Sequence, residues 1–564
     1  MMSTDRYGNP RPMPVDIVDK LIGSGRWQLL LTVLLSFCTF THMLNTGTEA
    51  LMRPDGWWCK KPTFLNNWTN AQWISYSHSS DSCVGVCNRN LWDHQVLADG
   101  HFQGCEIYDI DYKILIDVNY NDRPPMTTNK KITCPYGIYY SSLGGQSLAQ
   151  KFNRGCLDGK VMSNMWQSSS TFGRIIGYIF MGILGDWIGR KPVILISCGL
   201  APITALIVAL SNTYSLFVVS SLINGFFDGG FSLPLVLIME ISTNEHRSGL
   251  LVIGCCCFAL GIGLTPSINN LFHSYDLMVV LLNTTLLAIF PFKNIIPESP
   301  SWLFCKNKLP ELKSISLLSS KMNKKKVTNY DNYRIIYYGP ERHKLPKKKL
   351  NLWNLLFEPE TACEIMGLIY LTGLFALIFG SSYYSILANV TKSQLANYLL
   401  AISTMIGTST GQFCLLLMGH RKILLISILM LLISSLMLLI DFHNDKVSDT
   451  GPIATFLLIN IAVVSLSYGV LLNYNTRTVP TLLRGSLSGI LRGTWGLFVW
   501  IGNHDYVKFP TTAFGIIMAC VLATLFCLNI QDLYHRELPD TMSDSINFRL
   551  KSKPKRWKIE EFNE

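Results

Sequence analysis

Long apolar blocks, separated by shorter polar segments, run through most of this chain. A helix needs about 20 largely apolar residues to cross a bilayer, and its backbone polar groups must be satisfied within the helix. The pattern therefore predicts an all-α membrane protein with twelve transmembrane helices. The predicted helices span 27–47, 160–183, 192–210, 214–239, 249–271, 276–295, 362–384, 396–418, 421–441, 452–473, 486–503 and 511–531.

The order of these blocks predicts two six-helix bundles joined by a long basic loop. Folds of this kind place two halves around a site near the middle of the membrane. Within the basic loop, Leu312 to Lys326 shows helical periodicity and predicts a short surface helix. The predicted segments are a tail at 1–26, a first helix at 27–48, a loop at 49–159, the rest of the N-terminal bundle at 160–303, the basic loop at 304–360, the C-terminal bundle at 361–533 and a tail at 534–564.

Charge sets the predicted orientation. Only 15% of the residues are charged, whereas soluble domains carry about a quarter. Lys and Arg collect on the cytoplasmic side of membrane proteins, and here they cluster in 304–360 and in the C-terminal tail. Both termini are therefore predicted to be cytoplasmic and 49–159 extracellular. The net charge of +11 then reflects topology and contact with the lipid bilayer, not nucleic-acid binding.

The loop at 49–159 has the features of an extracellular segment. An even set of cysteines in an oxidising compartment predicts disulfides, with their pairing left open, and the lack of paired C-x-x-C units argues against zinc. Asn67 and Asn389 begin N-x-[ST] sequons at positions predicted to face outside, so both are candidate glycosylation sites. The candidate disulfide cysteines are Cys59, Cys83, Cys87, Cys105, Cys134 and Cys156.

Enzyme chemistry is not visible in the sequence. It contains no Walker A motif, no nucleophile elbow and no convincing metal-ligand spacing. We therefore predict no enzyme activity, no cofactor and no metal. Movement of a small solute would be secondary or facilitative, because no ATP-binding motif is present.

The segment after the second block contains the most specific motif. It reads G-I-L-G-D-W-I-G-R-K over 182–191. Gly182 and Gly189 would let two helices approach closely and turn tightly, while Asp186 and Arg190 can form an ion pair. The segment resembles the G-x-x-x-D-x-x-G-R-[KR] loop of the major facilitator superfamily, in which such a pair would break when the two bundles rock.

Four further segments resemble the organic cation, anion and zwitterion transporters of that superfamily. Residues 297–303 resemble P-E-S-P-R-W-L, Glu240 with Arg247 resembles E-x(6)-R, and 538–541 resembles L-P-[ED]-T. Residues 58–62 resemble the start of the large extracellular loop that separates this family from sugar porters. The resemblance covers nearly the whole chain. It implies the major facilitator fold, alternating access through a central cavity, a small organic ion as substrate and a plasma-membrane location.

Three departures from the family lie on the predicted cytoplasmic face. Arg477 replaces the acid of Y-x-x-E-L-Y-P-T, the loop at 418–422 reads M-G-H-R-K without an acid, and Ser301 replaces an Arg. The second half therefore lacks the acids of the family's inner gate. Either the N-terminal half carries the gate, or the cycle is altered, or transport has been lost. In the last case the chain would be a non-transporting surface receptor or scaffold.

Ionisable residues inside predicted spans are costly to bury and are candidates for function. Asp228 lies in the fourth span, Arg174 in the second and Arg492 in the eleventh. A cavity-facing Asp228 would attract a cation, so organic cations are the favoured substrates. The alternative is a buried ion pair between Asp228 and one of the arginines. Arg492 lies one helical turn before Gly496, where the resemblance implies an acid in cation carriers and an Arg in anion carriers.

Aromatic rings can supply the other part of a cation site, although each ring is more often a packing or interfacial residue. The candidates lie in or near the C-terminal spans and are Phe379, Tyr383, Tyr384, Tyr468, Tyr474 and Trp495. The predicted gating residues are Gly182, Asp186, Gly189, Arg190, Glu240 and Arg247.

Overall fold

A computed structural model of the chain describes residues 3–4, 10–11, 22–51, 57–65, 67–78, 104–115, 118, 124, 130–140, 151–152, 155–271, 275–306, 308–324, 359–386, 395–443, 450–502 and 511–530. Most of these residues are helical. In the N-terminal tail, the two-residue strands β1 (Ser3–Thr4) and β2 (Pro10–Arg11) pair in antiparallel fashion. The helices, in chain order, are α1 (Arg26–Leu51), α2 (Asn70–Ser77), α3 (Gly155–Ile188), α4 (Arg190–Ala209), α5 (Tyr214–Ile241), α6 (Arg247–Leu271), α7 (Tyr275–Thr284), α8 (Pro300–Cys305), α9 (Leu309–Asn323), α10 (Pro359–Ser385), α11 (Leu395–Met418), α12 (His420–His443), α13 (Thr450–Thr478), α14 (Thr481–Gly502) and α15 (Thr511–Asn529).

Every predicted apolar block overlaps one of these helices. Among the described residues, 8 helices are long and apolar enough to cross a membrane, and the apolar stretches Asp276–Phe292 and Gly515–Asn529 are shorter. The α3 and α14 helices carry more polar and glycine residues, because one face of each packs directly against the other at the junction of the two halves.

Two helices depart from regular α-helical geometry. The α5 helix tightens into a 3-10 turn at Gly229–Ser232, where the backbone N–H of Leu233 donates to the carbonyl of Gly230. The next residue, Pro234, has no N–H to make the regular bond to that carbonyl. After α7 the chain continues as a 3-10 helix over Thr285–Phe292, where a regular helix was predicted, and Pro291 lies inside it.

Each half of the molecule has its own hydrophobic core. In the first half the buried residues come from α1, α3 to α6, the 3-10 segment after α7, α8 and α9, and include Trp27, Phe231 and Trp302. In the second half they come from α10 to α15, and include Phe375 and Leu424. Large apolar side chains on the outer surfaces are exposed, as in Trp187 (73%). Such a surface needs an apolar solvent such as lipid.

The two halves meet most closely where α3 crosses α14. A Cβ atom at Gly182 would lie 2.5 Å from the carbonyl oxygen of Gly485, and one at Gly489 would lie 2.3 Å from the carbonyl oxygen of Tyr178. No side chain fits at such distances, so the glycines allow the two backbones to touch. The close approach predicted for Gly182 is therefore present, and its partner helix comes from the other half.

The described part of the loop between α1 and α3, residues 57–140, forms a small unit that we call the loop domain. Strand β3 (Trp57–Cys59) pairs with β6 (Ile138–Tyr140), and β4 (Glu106–Tyr108) pairs with β5 (Lys131–Thr133), both in antiparallel fashion. A disulfide joins Cys59 to Cys134, and Cys105 is also disulfide-bonded. Three of the predicted positions lie outside the described residues or have undescribed side chains, namely Cys83, Cys87 and Cys156. The buried core of the loop domain contains Trp58, Trp68, Trp73, Ile107 and Tyr112.

His78 is held neutral inside the loop domain, because burial lowers its pKa to about 3. Its Nε2 accepts the backbone N–H of Cys59 at 3.2 Å. Its Nδ1 lies 2.7 Å from the hydroxyl of Ser77, which itself donates to the carbonyl of Trp73. Protonation at Nε2 would place an N–H of the ring against the N–H of Cys59 and break their hydrogen bond. The neutral ring is therefore the form that links β3 to the end of α2.

The predicted surface helix in the basic loop is present as α9, three residues earlier than expected. Its last residue, Asn323, accepts the backbone N–H of Trp27 at 2.9 Å and donates to the side chain of Gln28 at 3.1 Å. These bonds satisfy an N–H at the start of α1 that has no partner within the helix. The end of α9 is therefore fastened to the start of the first long helix.

Candidate functional site

A tight turn joins α3 to α4 at Gly189, whose φ of +113° favours glycine. The carboxylate of Glu298 fits against this turn and accepts the backbone N–H groups of Arg190 at 2.8 Å and Lys191 at 3.2 Å. Any Cβ at position 189 would lie 2.3 Å from Glu298. The P-E-S-P segment thus caps the start of α4 and fixes the backbone from which Arg190 extends.

Four buried charges meet between the halves, and we call Asp186, Arg190, Glu240 and Arg484 the Arg190 cluster. Arg190 lies 3.0 Å from the carboxylate of Asp186 and 3.0 Å from that of Glu240. Arg484, from α14, donates to Glu240 at 2.8 Å. Arg190 also donates to the backbone carbonyl of Thr481 at 2.6 Å. The two carboxylates and the two guanidinium groups have opposite charges, so the buried cluster has no net charge.

Asp186 bonds directly to the backbone of α14. Its carboxylate accepts the N–H of Gly485 at 3.0 Å, the N–H of Ser486 at 2.7 Å and the hydroxyl of Ser486 at 2.6 Å. Its own carbonyl accepts the indole N–H of Trp302 at 3.0 Å. The ion pair expected between Asp186 and Arg190 is present, and Asp186 also reaches across to the other half.

A second polar junction lies beside the Arg190 cluster. Arg477 donates to Asn473 at 2.8 Å and to Asn244, from the first half, at 2.8 Å. Asn473 in turn donates to the hydroxyl of Ser248 at 3.1 Å. Neutral amides therefore accept the bonds of the arginine that replaces the family's acid. Arg247 bonds to the backbone carbonyls of Met239 and Ser242, whereas the ion-pair partners of Glu240 among the described residues are Arg190 and Arg484.

A cavity of about 1020 Å³, including its open mouth, lies between the two halves. It begins along α3 at Arg174 and Tyr178, on the side of the bundle away from Asp186. Arg174 precedes Asp186 by roughly 18 Å of helix at 1.5 Å per residue. The Arg190 cluster therefore closes one end of the passage between the halves. The predicted candidates that line the cavity are Arg174, Arg492, Phe379, Tyr383 and Trp495. Gly496, the position that the family resemblance points to, lines it as well.

Arg492 presents its charge to an aromatic wall. Its guanidinium lies 5.6 Å from the ring centre of Phe258 and 5.8 Å from that of Tyr468. The ring of Trp495 packs against Tyr468 at 4.1 Å and against Phe379 at 5.5 Å. Across the described ranges, no carboxylate lies within ion-pair distance of Arg492. Cation–π contact stabilises the guanidinium but leaves its charge uncompensated.

Asp228 does not line the cavity, which corrects the expectation of a cavity-facing acid. It is 2% exposed and pairs with Arg174 at 2.8 Å and with His42 at 2.9 Å. The alternative of a buried ion pair is the arrangement found. Tyr178 and His42 bond to each other at 2.8 Å, and both line the cavity together with Arg174.

Tyr474 is also placed differently from the expectation, because it is fully buried in the second half. Its hydroxyl donates to Glu364, and its ring packs against His420. The side chain of Tyr384 and the whole of Asn389 lie outside the described residues, whereas Asn67 is described and exposed. Asn67 is thus accessible, as a glycosylation site must be.

Several cavity residues were missed by reasoning from the sequence, above all His42, Tyr178, Phe258 and Trp500. His42 carried a usable signal, because an ionisable side chain inside an apolar block is a functional candidate. The three aromatic residues carried none, since rings are common throughout apolar helices.

The sequence matches the family model for sugar (and other) transporters over residues 123–502. The chain belongs to this family. It is therefore a transporter of the major facilitator superfamily, as the motif at 182–191 predicted.

Relatives come from the solute carrier and organic cation transporter groups. Solute carrier family 22 member 15 of Xenopus tropicalis is 24% identical over 396 residues, which are 67% of this chain and 71% of the relative. The organic cation transporter protein of Drosophila melanogaster is 24% identical over 481 residues, 82% of this chain and 85% of the relative. The carcinine transporter of the same fly is 21% identical over 532 residues, 91% and 74% of the two chains.

Solved structures show the same fold. The proton:xylose symporter XylE bound to 6-bromo-6-deoxy-D-glucose aligns with a TM-score of 0.57 at 12% identity, covering 92% of this chain and 99% of that chain. The partially occluded inward-open form of XylE from E. coli aligns with a TM-score of 0.52 at 13% identity, covering 91% and 100%. This likeness establishes the major facilitator fold.

Proposed function

We propose that this transporter is a secondary or facilitative carrier of small organic ions that works by alternating access. The observation that carries the proposal is the cavity between the two halves, closed at one end by the Arg190 cluster. In such a cycle the ion pairs and hydrogen bonds across the junction break, the halves rock, and the cavity opens at that end.

The proposed topology has twelve spans, with both termini in the cytoplasm and the protein in the plasma membrane. Basic residues in the loop at 304–360 and in the C-terminal tail support this orientation. The Arg190 cluster is then on the cytoplasmic side. The loop domain would be extracellular, where its disulfides are stable and Asn67 and Asn389 could be glycosylated.

The junction does not favour a non-transporting receptor or scaffold. A receptor has no need for buried charges that pair across two rigid halves, and burial of such charges stabilises a protein little. Asp186 and Glu240, both from the first half, hold the second half through Arg484 and the backbone of α14. The missing acids of the second half are therefore not needed for closure.

The charges around the cavity favour an organic anion as substrate, rather than the cation expected from Asp228. Asp228 lies behind the cavity wall, and its charge is balanced by Arg174, which lines the cavity. Arg492 remains as the uncompensated charge among the described lining residues. A carboxylate or sulfonate would gain a charge-assisted bond to this guanidinium, and its aromatic or apolar part would pack on Phe379 and Trp495.

Three permanently charged or zwitterionic probes of matched size test this proposal. They are 2-phenylethanesulfonate, phenylalanine and trimethyl(2-phenylethyl)ammonium, taken up by proteoliposomes that contain the full chain. We expect saturable uptake of the anion, at least about tenfold above the cation, because one charge-assisted hydrogen bond contributes about 1.5–3 kcal/mol.

The Arg492→Gln variant should lose that preference, while Arg492→Lys, which keeps the charge, should retain part of it. Lys313→Gln serves as the control, since Lys313 is an exposed base on α9 and does not line the cavity. Saturable uptake of the cation alone would overturn the anion preference. Absence of saturable uptake of all three probes, with folded protein present, would contradict the carrier function itself.

A further inference from the structure

Four polar side chains from three helices of the first half form a connected group, which we call the His42 cluster. It consists of His42 on α1, Arg174 and Tyr178 on α3, and Asp228 on α5. His42 is 3% exposed and Asp228 2% exposed, yet His42, Arg174 and Tyr178 all line the cavity. A buried titratable ring that touches the substrate passage is a candidate for ion coupling.

The contacts favour one tautomer of the neutral imidazole. Nδ1 of His42 lies 2.9 Å from Oδ2 of Asp228, so a hydrogen on this nitrogen faces the carboxylate and is favoured over a bare lone pair there. Nε2 is then the acceptor and lies 2.8 Å from the hydroxyl of Tyr178. Among the described residues, Oδ1 of Asp228 accepts no hydrogen bond. In this tautomer the ring's basic lone pair is on Nε2, so the His42 cluster can take up one more proton there.

The charged and titratable groups that face His42 determine how an added proton changes the local charge. They are Asp228 on α5, Arg174 and Tyr178 on α3, and Arg492 on α14, while α6 contributes the apolar side chains Phe258 and Ile262 to the cavity wall. Asp228 and Arg174 cancel, so the cluster with a neutral ring has no net charge. Protonation at Nε2 adds a positive charge beside a cavity that already contains the charge of Arg492.

We propose that His42 binds the coupling proton of this carrier, so that one organic anion and one proton cross the membrane together; the proposal rests on the anion transport proposed above. A proton from cavity water binds the hydroxyl oxygen of Tyr178 as Tyr178 passes its own proton to Nε2 of His42. The reverse transfer releases the proton on the other side. No bond other than O–H and N–H forms or breaks.

Electrostatics makes the two ligands cooperative. With a proton on Nε2, the single carboxylate of Asp228 faces three positive side chains, those of His42, Arg174 and Arg492. An anion in the cavity offsets this excess of positive charge, and by linkage the proton raises the affinity for the anion by the same factor. A monoanion and a proton together carry no net charge.

The test uses the full chain in proteoliposomes with 2-phenylethanesulfonate, which stays ionised at every pH used and so does not cross the lipid as a neutral acid. Internal pH is 7.5 and is followed with a trapped pH dye, while external pH is 5.5 or 7.5. We expect wild-type uptake to rise at least about fivefold at pH 5.5 and protons to enter with the anion. The His42→Gln variant should show neither effect.

If His42→Gln does not transport at all, the pH dependence of anion binding can still be compared with that of the wild type. The anion should raise the thermal unfolding temperature of the wild type more at pH 5.5 than at pH 7.5, and that of His42→Gln equally at both. The matched control is His246→Gln, because His246 is exposed and lies in the turn between α5 and α6.

The outcomes separate the two proposals. Saturable anion uptake that is independent of pH and brings in no protons would overturn proton coupling while leaving anion transport in place. Proton-coupled uptake that persists in His42→Gln would overturn the assignment to His42. Absence of both uptake and anion-induced stabilisation in the wild type would overturn the anion carrier and, with it, the coupling.

Discussion

Glu240 lies fully buried between two arginines that come from different halves of the molecule. Its two carboxylate oxygens are shared between Arg190 and Arg484, so no other described acid can take its place for both. Removal of one partner from a buried ion-pair group leaves an uncompensated charge, which costs about 3–5 kcal/mol. Solvation relieves that cost when the halves separate.

We therefore predict that Glu240→Gln shifts the transporter toward the form that is open at the Arg190 cluster. Ser248→Cys, buried at the same junction, serves as the reporter. Its labelling by a maleimide should become at least about tenfold faster in Glu240→Gln, since 1.4 kcal/mol already corresponds to tenfold. Glu245→Gln, an exposed acid in the adjacent turn, should leave the rate unchanged. Equal labelling rates in both variants would contradict the role given to Glu240.

For Arg477, the family pattern predicts that an ion pair is lost but not which residues take its place. The sequence identified the replacement of an acid by an arginine, and the loss of the usual ion pair follows from it. The bonds of Arg477 to Asn473 and Asn244 did not follow, because neither asparagine stands out in a sequence. The bond to Asn244 depends on the contact between the end of α13 and the turn after α5, which belong to different halves.

Among the elements, α3 and α14 make the contact on which the junction depends. Gly182, Gly485 and Gly489 bring the two backbones together, and Asp186 reaches the N–H groups of α14 because of that approach. An added methyl group at Gly182 would meet the carbonyl oxygen of Gly485 at 2.5 Å, which is backbone and cannot move alone. Overpacking of this kind costs about 1–3 kcal/mol.

Gly182→Ala should therefore separate α3 from α14, weaken the bonds of Asp186 and reduce transport of the anionic probe by at least about tenfold. Thermal unfolding and initial uptake rates measure the two effects. Gly515→Ala is the control, because a Cβ at that position meets nothing within 4 Å. If Gly182→Ala transports as well as Gly515→Ala, close contact between these helices is not required.

The helices themselves were largely predictable, because lipid demands long apolar segments with internal hydrogen bonds. The irregular stretches were not. The 3-10 turn at Gly229–Ser232 lies just before Pro234, and the 3-10 helix at Thr285–Phe292 contains Pro291, but a proline in an apolar block can kink or end a helix as well as tighten it. Apolar composition gives no information about such changes of helix type.

For the whole molecule, alternating access requires the two halves to move as separate bodies, and their separate cores agree with that requirement. Ser248 and Asn473 bond across the junction at 3.1 Å. A double variant, Ser248→Cys with Asn473→Cys, should form a disulfide on oxidation and fix the closed junction. Uptake should then fall to background and return when a reductant is added.

The matched control joins two helices of the same half. Asn475 donates to Ser488 at 2.9 Å between α13 and α14, so Asn475→Cys with Ser488→Cys should be crosslinked without preventing the halves from rocking. Transport that survives the crosslink between halves, with the disulfide verified by mass spectrometry, would exclude the rocking mechanism.

By itself, the sequence determined the class of protein, the positions of the apolar helices, the family and the ion pair of Asp186 with Arg190. Those properties depend on local composition or on residues close together in the chain. Tertiary structure alone decided that Asp228 is balanced by Arg174 and contacts His42, that Arg492 faces the cavity without an acid partner among the described residues, and that Glu240 joins both halves. The reason is physical: the effect of a buried charge depends on which charges lie within a few ångströms, and those come from helices far apart in the sequence.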